Sequence, residues 1–407
     1  TDVNGLTTSD VVSQTSGTVS TGVGVSKLMK GGGRFAVDLT SNFFKFLSGN
    51  SGESASSVLV GSFTQPLLRG RGKKIAMENL TQAERNMLYT LRDFTRFRKE
   101  FAVDITASYY AVLRNKDAVR NVYLGLISLE KSLEREKAFL AEGLKTPGQV
   151  ALLEQSKLSS DSGWTRSINS YIESLDRFKI QLGISMDELL VLDDSELGHL
   201  SSSDPIQPGL SLQEATEVAL VTRLDLYTQM DSIVDAERRV VVAADGRKPR
   251  MDLLISSSVN SKDGNRPSAL DFQRHEYSVG IDLELPFDRK SERNNYRSAL
   301  INLEVARRNT SAFIDNVKLD VRNAWRTLEQ ANRDNEIDLI SVELNERRVE
   351  EEQLLSELGQ GEIRNLVEAQ SDLTRAQTAL TGSLIAQRVA LLQFWRDVGV
   401  LFVDDSG

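Results

Sequence analysis

His275-Glu-Tyr-Ser-Val-Gly-Ile-Asp-Leu-Glu-Leu-Pro286 decides how this 407-residue chain is read. Its odd positions, His275, Tyr277, Val279, Ile281, Leu283 and Leu285, are mostly apolar. Its even positions, Glu276, Ser278, Gly280, Asp282 and Glu284, are small or acidic. A repeat of two residues puts these sets on opposite faces of a β-strand. A length of ~11 residues suits a tilted strand crossing a membrane. Pro286 ends it, because proline cannot donate to a ladder.

Outward from this strand, a partner is predicted over Arg250 to Val259, with Met251, Leu253 and Ile255 on one face. The Ser/Asn/Gly/Pro-rich stretch from Ser261 to Ser268 forms the loop between them. An earlier pair is read in Phe35, Val37 and Leu39, alternating with Ala36, Asp38 and Thr40, and in about Val58 to Gln65. The Gly/Ser-rich Ser48 to Ser57 separates these two. The same alternation occurs at a soluble sandwich edge, but two hairpins are too few to build a sandwich.

Between the pairs the chain is helical. No proline occurs from Pro66 to Pro147, and none after Pro286. Apolar residues at helical spacing, such as Leu80, Met87, Leu91 and Phe94, predict helices over about 72–142 and 290–358. Seventy residues of helix rise roughly 105 Å, so each needs partner helices along its length. Shorter returning helices are read at about 147–183 and 363–398. A further helix at about 211–245 follows Pro205 and Pro208. It is placed as an extension of the first returning helix, and the matching partner of the second half would precede Thr1. The sequence reading therefore expects N-terminal helices that are missing.

The two helical stretches are copies of each other. At an offset of 216 residues, Val103-Asp-Ile105 falls on Leu319-Asp-Val321, Tyr109 on Trp325 and Gly143 on Gly359. Leu175 falls on Leu391, Phe178 on Phe394 and Gly183-Ile184 on Gly399-Val400. The offset drifts upstream, where Val60 to Pro66 matches Gly280 to Pro286. A period this long indicates a duplicated half and not a solenoid.

Composition removes other classes. Apolar residues at 40% allow an ordered core. A formal charge of −9 argues against nucleic acid, which needs a basic patch. Cysteine is absent, removing disulfides and thiolate metal sites without choosing between periplasm and cytosol. No apolar run reaches the ~18 residues of a membrane helix, which says nothing against a barrel. Thr1 opens a polar stretch without the basic and apolar parts of a leader. His199, beside Asp193-Asp-Ser-Glu196, has no spaced partner for a metal. Glu350-Glu-Glu352 beside Arg347-Arg348 reads as a solvated helix face. Trp164, Trp325 and Trp395 read as packing residues. No phosphate loop or nucleophile elbow is present, so no catalytic residue, metal or cofactor is expected.

Four amphipathic strands cannot close a barrel, since single-chain barrels start at about eight. Open edges in lipid leave amides unpaired at several kcal/mol each. Chains must therefore associate if the strands span a membrane. Three give twelve strands, and two give eight with a nearly filled lumen.

This arrangement resembles the outer-membrane efflux protein family typified by TolC. The resemblance is carried by Ser62-Phe-Thr-Gln-Pro-Leu-Leu-Arg-Gly-Arg-Gly72, Gly143-Leu-Lys-Thr-Pro147, Leu175-Asp-Arg-Phe178 and Leu182-Gly-Ile184. It is repeated in Leu283-Glu-Leu-Pro286, Gly359-Gln-Gly-Glu-Ile363 and Phe394 to Val400, and Gly17 to Leu39 looks like the first hairpin region. It implies a mainly α fold with β, in which a long antiparallel α-helical coiled-coil barrel joins four membrane strands per chain. A homotrimer would form a 12-stranded barrel. Residues 17–66 and 247–286 would be the barrel. Residues 67–246, with an equatorial segment at about 184–210, and 287–403 would be the helical tunnel. The same resemblance implies a passive conduit in the outer membrane, with its tunnel in the periplasm. Its partners would be a periplasmic adaptor protein, an inner-membrane pump and outer-membrane lipid, with no nucleic acid. Gly143, Leu144 and Thr146, with Gly359 and Gly361, fall on the turns that touch the adaptor. Asn365 and Glu368 fall on the family's acidic entrance constriction, where the first carboxylate is replaced by Asn. Asp282 and Glu284 are expected to face the lumen. The alternatives are a soluble coiled-coil scaffold, and a periplasmic adaptor, which has one helical hairpin and larger β-domains.

Overall fold

The computed structural model describes residues 15–47, 52–193, 195–202, 208–262, 266, 268–285, 287–358 and 360–404. In chain order the elements are β1 (Ser16–Leu28), β2 (Arg34–Phe46), β3 (Glu53–Pro66), α1 (Lys73–Ala76), α2 (Glu78–Ala141) and α3 (Pro147–Leu182). There follow α4 (Ser195–Ser202), α5 (Leu212–Thr222), α6 (Leu224–Asp245), β4 (Arg250–Ser261), β5 (Leu270–Glu284), α7 (Lys290–Glu357) and α8 (Ile363–Val398). They fall into two compact units, Thr1–Tyr89 with Met230–Thr310, and Thr90–Gln229 with Ser311–Gly407.

The first unit holds one antiparallel sheet in the order β1-β2-β3-β4-β5. It has five strands where the sequence reading expected four. The fifth is β1, in the stretch from Gly17 to Leu39 that the family resemblance alone marked as a hairpin region; its Val19, Val23 and Val25 alternate only with Gly, Ser and Thr. Glycine disfavours strands, and here pairing along all of β2 overrides that preference. The strands also run further than expected, β5 to 15 residues and β3 to 14. Pro286 lies outside the described residues, and β5 ends at Glu284.

Below the sheet, α6 is held to the first turns of α2 by charge. Arg238 donates to Glu78 at 2.9 Å and to Asp235 at 2.8 Å, while Tyr89 donates to Asp235 at 2.9 Å. Burial of the Asp235 carboxyl would raise its pKa, but donors from Gln82, Tyr89 and Arg238 outweigh this and hold it below the usual carboxylate value.

The second unit shows the duplication in its packing. Helix α2 ends at Ala141 and α7 at Glu357, and α3 and α8 each run 36 residues. Each returning helix stops at a glycine in the left-handed region, Gly183 at φ 71° and Gly399 at φ 88°. At both stops the paired bonds of a Schellman motif form, Ile184 to Lys179 O and Val400 to Trp395 O among them. The cores match too. Val112 and Phe178, packed by Ile105, Tyr109 and Leu175, form one. Their counterparts Leu328, Phe394, Val321, Trp325 and Leu391 belong to the other. Tyr109 lies 6.3 Å from Phe178 between ring centres, and Trp325 lies 5.7 Å from Phe394.

What covers these cores differs. Leu190, Leu192 and Leu197 cover the first, and Ala215 and Ala219 of α5 cover the second. The single helix expected at 211–245 is two helices, because Arg223 adopts extended backbone at φ −73°, ψ 117°. Its guanidinium reaches Asp225 at 2.6 Å and Asp320 at 3.0 Å, and Arg96 also pairs with Asp225. The preceding Thr222 donates to Val398 O at 2.6 Å. Breaking α5 from α6 lets Ala215 and Ala219 sit flush on α7 and α8. His199, read from the sequence in a loop, lies on α4.

Phe394→Ala removes the centre of a fully buried core and is expected to cost about 3–5 kcal/mol by denaturant titration, as in other Phe truncations. A carboxylate lowered on folding stabilises the fold above its unfolded pKa of about 3.9, and that contribution is lost as pH falls through the folded value. The melting-temperature gap between the wild type and Asp235→Asn is therefore expected to be full at pH 7 and to shrink below about pH 4.

Candidate functional site

Two features stand out, the sheet and the pair of helical turns. Through each of the four strand pairings, odd residues face odd and even face even, up to the register shift near Val259. One parity face therefore continues across all five strands. The odd face carries Val23, Val37, Leu39, Leu59, Ile255, Val279 and Ile281. The even face carries Arg34, Asp38, Arg250, Asp252, Glu276, Asp282 and Glu284, beside the apolar Phe44, Phe46, Val58, Val60 and Leu254. Val23, Tyr277 and Val279 are 71%, 70% and 73% exposed, so the apolar face is not packed on a helix. A continuous uncovered apolar face marks contact with lipid or a partner. Among the described residues no helix is long and apolar enough to cross a membrane.

Asp282 and Glu284 lie on the even face of β5. Asp282 stands opposite Asp252 in the ladder, and Glu284 opposite Arg250. Arg250 donates to Asp252 at 2.8 Å and lies 3.9 Å from Glu284. The sequence reading missed this arginine, which stands at a strand start with a role that only pairing reveals.

The first turn joins α2 to α3. Gly143 takes φ 74°, and the bonds Leu144 N–H to Phe139 O and Gly143 N–H to Leu140 O close a Schellman motif. A Cβ there would meet nothing within 4 Å, so glycine is needed for its conformation and not for space. Leu144 projects outward, 64% exposed. Thr146 caps α3 in a capping box with Gln149, with Pro147 at the first helical position.

The second turn joins α7 to α8. Gly359 lies outside the described residues. Gly361 is buried, and a Cβ on it would stand 2.6 Å from Ser356 N and 2.9 Å from Leu355 C. Here glycine is required for close backbone approach. No side chain caps α8 at Glu362, unlike Thr146 in the first copy. Asn365 is half-buried on the first turn of α8. Glu368 is exposed and 3.7 Å from Arg348, which also donates to Asp372 at 2.9 Å. The Glu368 charge therefore has a cation beside it.

The turns are tied by a buried pair that the sequence reading passed over. Lys145, between the two exposed residues Leu144 and Thr146, is 7% exposed and donates to Gly361 O at 3.0 Å. Its ammonium lies 3.8 Å from Glu136, which is 1% exposed and accepts from Ser356. The available signal was a lysine following an exposed leucine in a helix connection, which ordinarily reads as surface. Further along, Ser128 donates to Gln370 at 2.9 Å and Thr381 to Asp117 at 2.6 Å, joining α2 to α8. At Gly125 an added Cβ would come 2.8 Å from Thr374 Oγ1.

No family model matches the chain, and no curated protein is similar by sequence. Solved structures are similar in fold. CusC, studied for the conformational changes accompanying folding and transmembrane channel formation, superposes with a TM-score of 0.70 at 14% identity, over 95% of this chain and 83% of that one. The Campylobacter jejuni CmeC outer membrane channel gives 0.69 at 11%, over 95% and 78%. The outer membrane protein VceC of Vibrio cholerae gives 0.69 at 13%, over 95% and 87%. The chain has the fold of these proteins, the one the TolC resemblance implied.

Lys145→Met leaves Glu136 buried without its cation and is expected to destabilise the second unit by about 3 kcal/mol. Adding Glu136→Gln is expected to recover part of that, read as the coupling in a double-mutant cycle of thermal melts. Gly143→Ala, which only strains the backbone, is expected to cost about 1 kcal/mol.

Proposed function

We propose that this chain is a subunit of an outer-membrane export duct, a passive conduit without chemistry of its own. The sheet carries the reading. Its odd face is mainly apolar and uncovered, its even face carries most of the charge, and among the described residues β1 and β5 are its outer strands. Lipid accepts the first face only if the edges are satisfied, which calls for closure with further copies. The even face then lines the lumen, with Asp282 and Glu284 among acidic groups balanced in part by Arg250. The solved structures with this fold whose names say so are outer membrane channels, which supports the same placement.

In this reading three copies close the barrel from the segments 17–66 and 247–286. The segments 67–246 and 287–403 supply the periplasmic tunnel. The turns at Gly143, Leu144 and Thr146, and at Gly359 and Gly361, meet a periplasmic adaptor that leads to an inner-membrane pump. Exposed Leu144, with Leu354 and Leu358 beside the second turn, gives the adaptor apolar anchors at both turns. The entrance residues Asn365 and Glu368 form a weaker ring than a double carboxylate, because Arg348 stands beside Glu368. Energy comes from the pump.

The test is reconstitution of the full-length chain. It is expected in the outer-membrane fraction as an SDS-resistant oligomer and to give ohmic, cation-preferring conductance in planar bilayers. Asp282→Asn with Glu284→Gln is expected to lower the cation preference. Recovery as a water-soluble monomer without conductance contradicts the proposal.

A further inference from the structure

The helices join the sheet at one end, through the connections from β3 to α1, from α6 to β4 and from β5 to α7. All three are rich in cations. The first reads Leu67-Leu-Arg-Gly-Arg-Gly-Lys-Lys74, with four cations and no acid. The second reads Gly246-Arg-Lys-Pro-Arg250, with three cations and no acid. The third leads into Arg289, Lys290 and Arg293, interspersed with Asp288 and Glu292. The feature belongs to the duplication, since 220 residues on, Arg69 falls on Arg289 and Lys73 on Arg293. The whole chain carries a formal charge of −9, so this concentration runs against its composition.

Several helix cations of the same unit have acids of their own. Arg85 meets Asp235, Arg238 meets Glu78, and Arg307 meets Glu237. Arg71, Lys73 and Lys74 are exposed, and among the described residues no carboxylate pairs with them. They line a cleft of about 450 Å³ together with Lys248 and one acid, Asp245. That carboxylate is buried and already engaged, accepting from Gly70 N–H and from Lys248, both at 2.7 Å. Four cations against one acid leave the cleft a formal charge of +3, which draws anions. No strand residue lines it. Arg34, Arg69 and Arg250 open instead into a separate cleft on the even face, beside Asp252 and Glu284.

The level of this cleft identifies the anion. At this end β3 stops at Pro66 and β4 begins at Arg250, so Arg71, Lys73, Lys74 and Lys248 lie just past the strands. In a bilayer the layer just past the hydrocarbon is the headgroup layer, roughly 5–8 Å deep on each side. Lipid phosphates are the anions fixed at that level, and cations beside a membrane segment are attracted to them. We propose that this cleft binds the phosphates of anionic phospholipids in the leaflet that faces the helices, and that its copies form a basic collar below the closed barrel. The odd face supplies the contact with hydrocarbon, and the collar sets the depth at which the sheet stands. This inference rests on the duct reading above.

The test uses the full chain carrying Arg71→Gln, Lys73→Gln and Lys74→Gln, exposed positions whose change leaves no buried acid unpaired. Lys248 is kept, because it pairs with Asp245. Wild type and variant are reconstituted in phosphatidylcholine vesicles containing a trace of spin-labelled phosphatidylglycerol or spin-labelled phosphatidylcholine. The motionally restricted fraction of the label counts lipid held at the protein. Wild type is expected to prefer the anionic lipid by at least about fivefold, the worth of one cation near a charged surface. The variant is expected to lose most of that preference. A control, Lys45→Gln with Lys262→Gln, removes two cations at the other end of the sheet and is expected to keep it. Millimolar inorganic phosphate is expected to leave the preference unchanged, and its loss would mark a site for soluble phosphate and overturn the lipid assignment. Equal preference in wild type and variant, or equal loss in the control, overturns the collar and leaves the duct reading standing. Failure of every form to insert, control included, overturns the duct reading itself.

Discussion

A strand exposes a row of N–H and C=O groups along each edge, and hydrocarbon offers nothing to satisfy them. That constraint governs this protein once its sheet is seen to carry one apolar face across five strands. Such a sheet cannot lie open in lipid, where each unpaired group costs several kcal/mol. Nor is it buried in its own chain, since the valines and leucines of β1 and β5 remain exposed. The proposed assembly rests on this constraint and not on a likeness to other proteins. The helices obey a related rule. Helices of 64 and 68 residues have apolar stripes that no single hairpin covers, so they are matched by returning helices and by α5 and α6.

Duplication answers both needs with one unit, and the two copies have then diverged where their surroundings differ. Val112, Tyr109 and Phe178 rebuild as Leu328, Trp325 and Phe394, so the core chemistry is retained. The turns have gone separate ways. The first turn uses a conformational glycine and a capping box, and the second a glycine held against backbone with no side-chain cap. Lys145 and Glu136 bridge the two, which makes the turns one structure and not two independent loops.

Much of this was legible in the sequence. Helix ends fell within a few residues of those read, because proline, glycine and the 216-residue offset all mark the same boundaries. The strand β5 was legible because its alternation is uninterrupted. What escaped notice did so for physical reasons. Glycine, serine and threonine carry no hydrophobic signal, so alternation alone did not mark β1, and only the family resemblance covered that stretch. The break at Arg223 depends on Asp320, 97 residues away, which no local pattern reveals. Lys145 looked like surface because charge ordinarily is, and its burial depends on an acid in the preceding helix and a carbonyl in the other turn.

A membrane barrel requires the odd face of the sheet to meet lipid and the even face to meet water. Single cysteines placed along β5 from Tyr277 to Asp282 and spin-labelled in the vesicle-reconstituted chain report this directly. Accessibility to oxygen is predicted to peak at 277, 279 and 281, and accessibility to a water-soluble nickel chelate at 278, 280 and 282. Uniform access to the chelate at all six positions would show a sheet bathed in water on both faces and would contradict the membrane barrel.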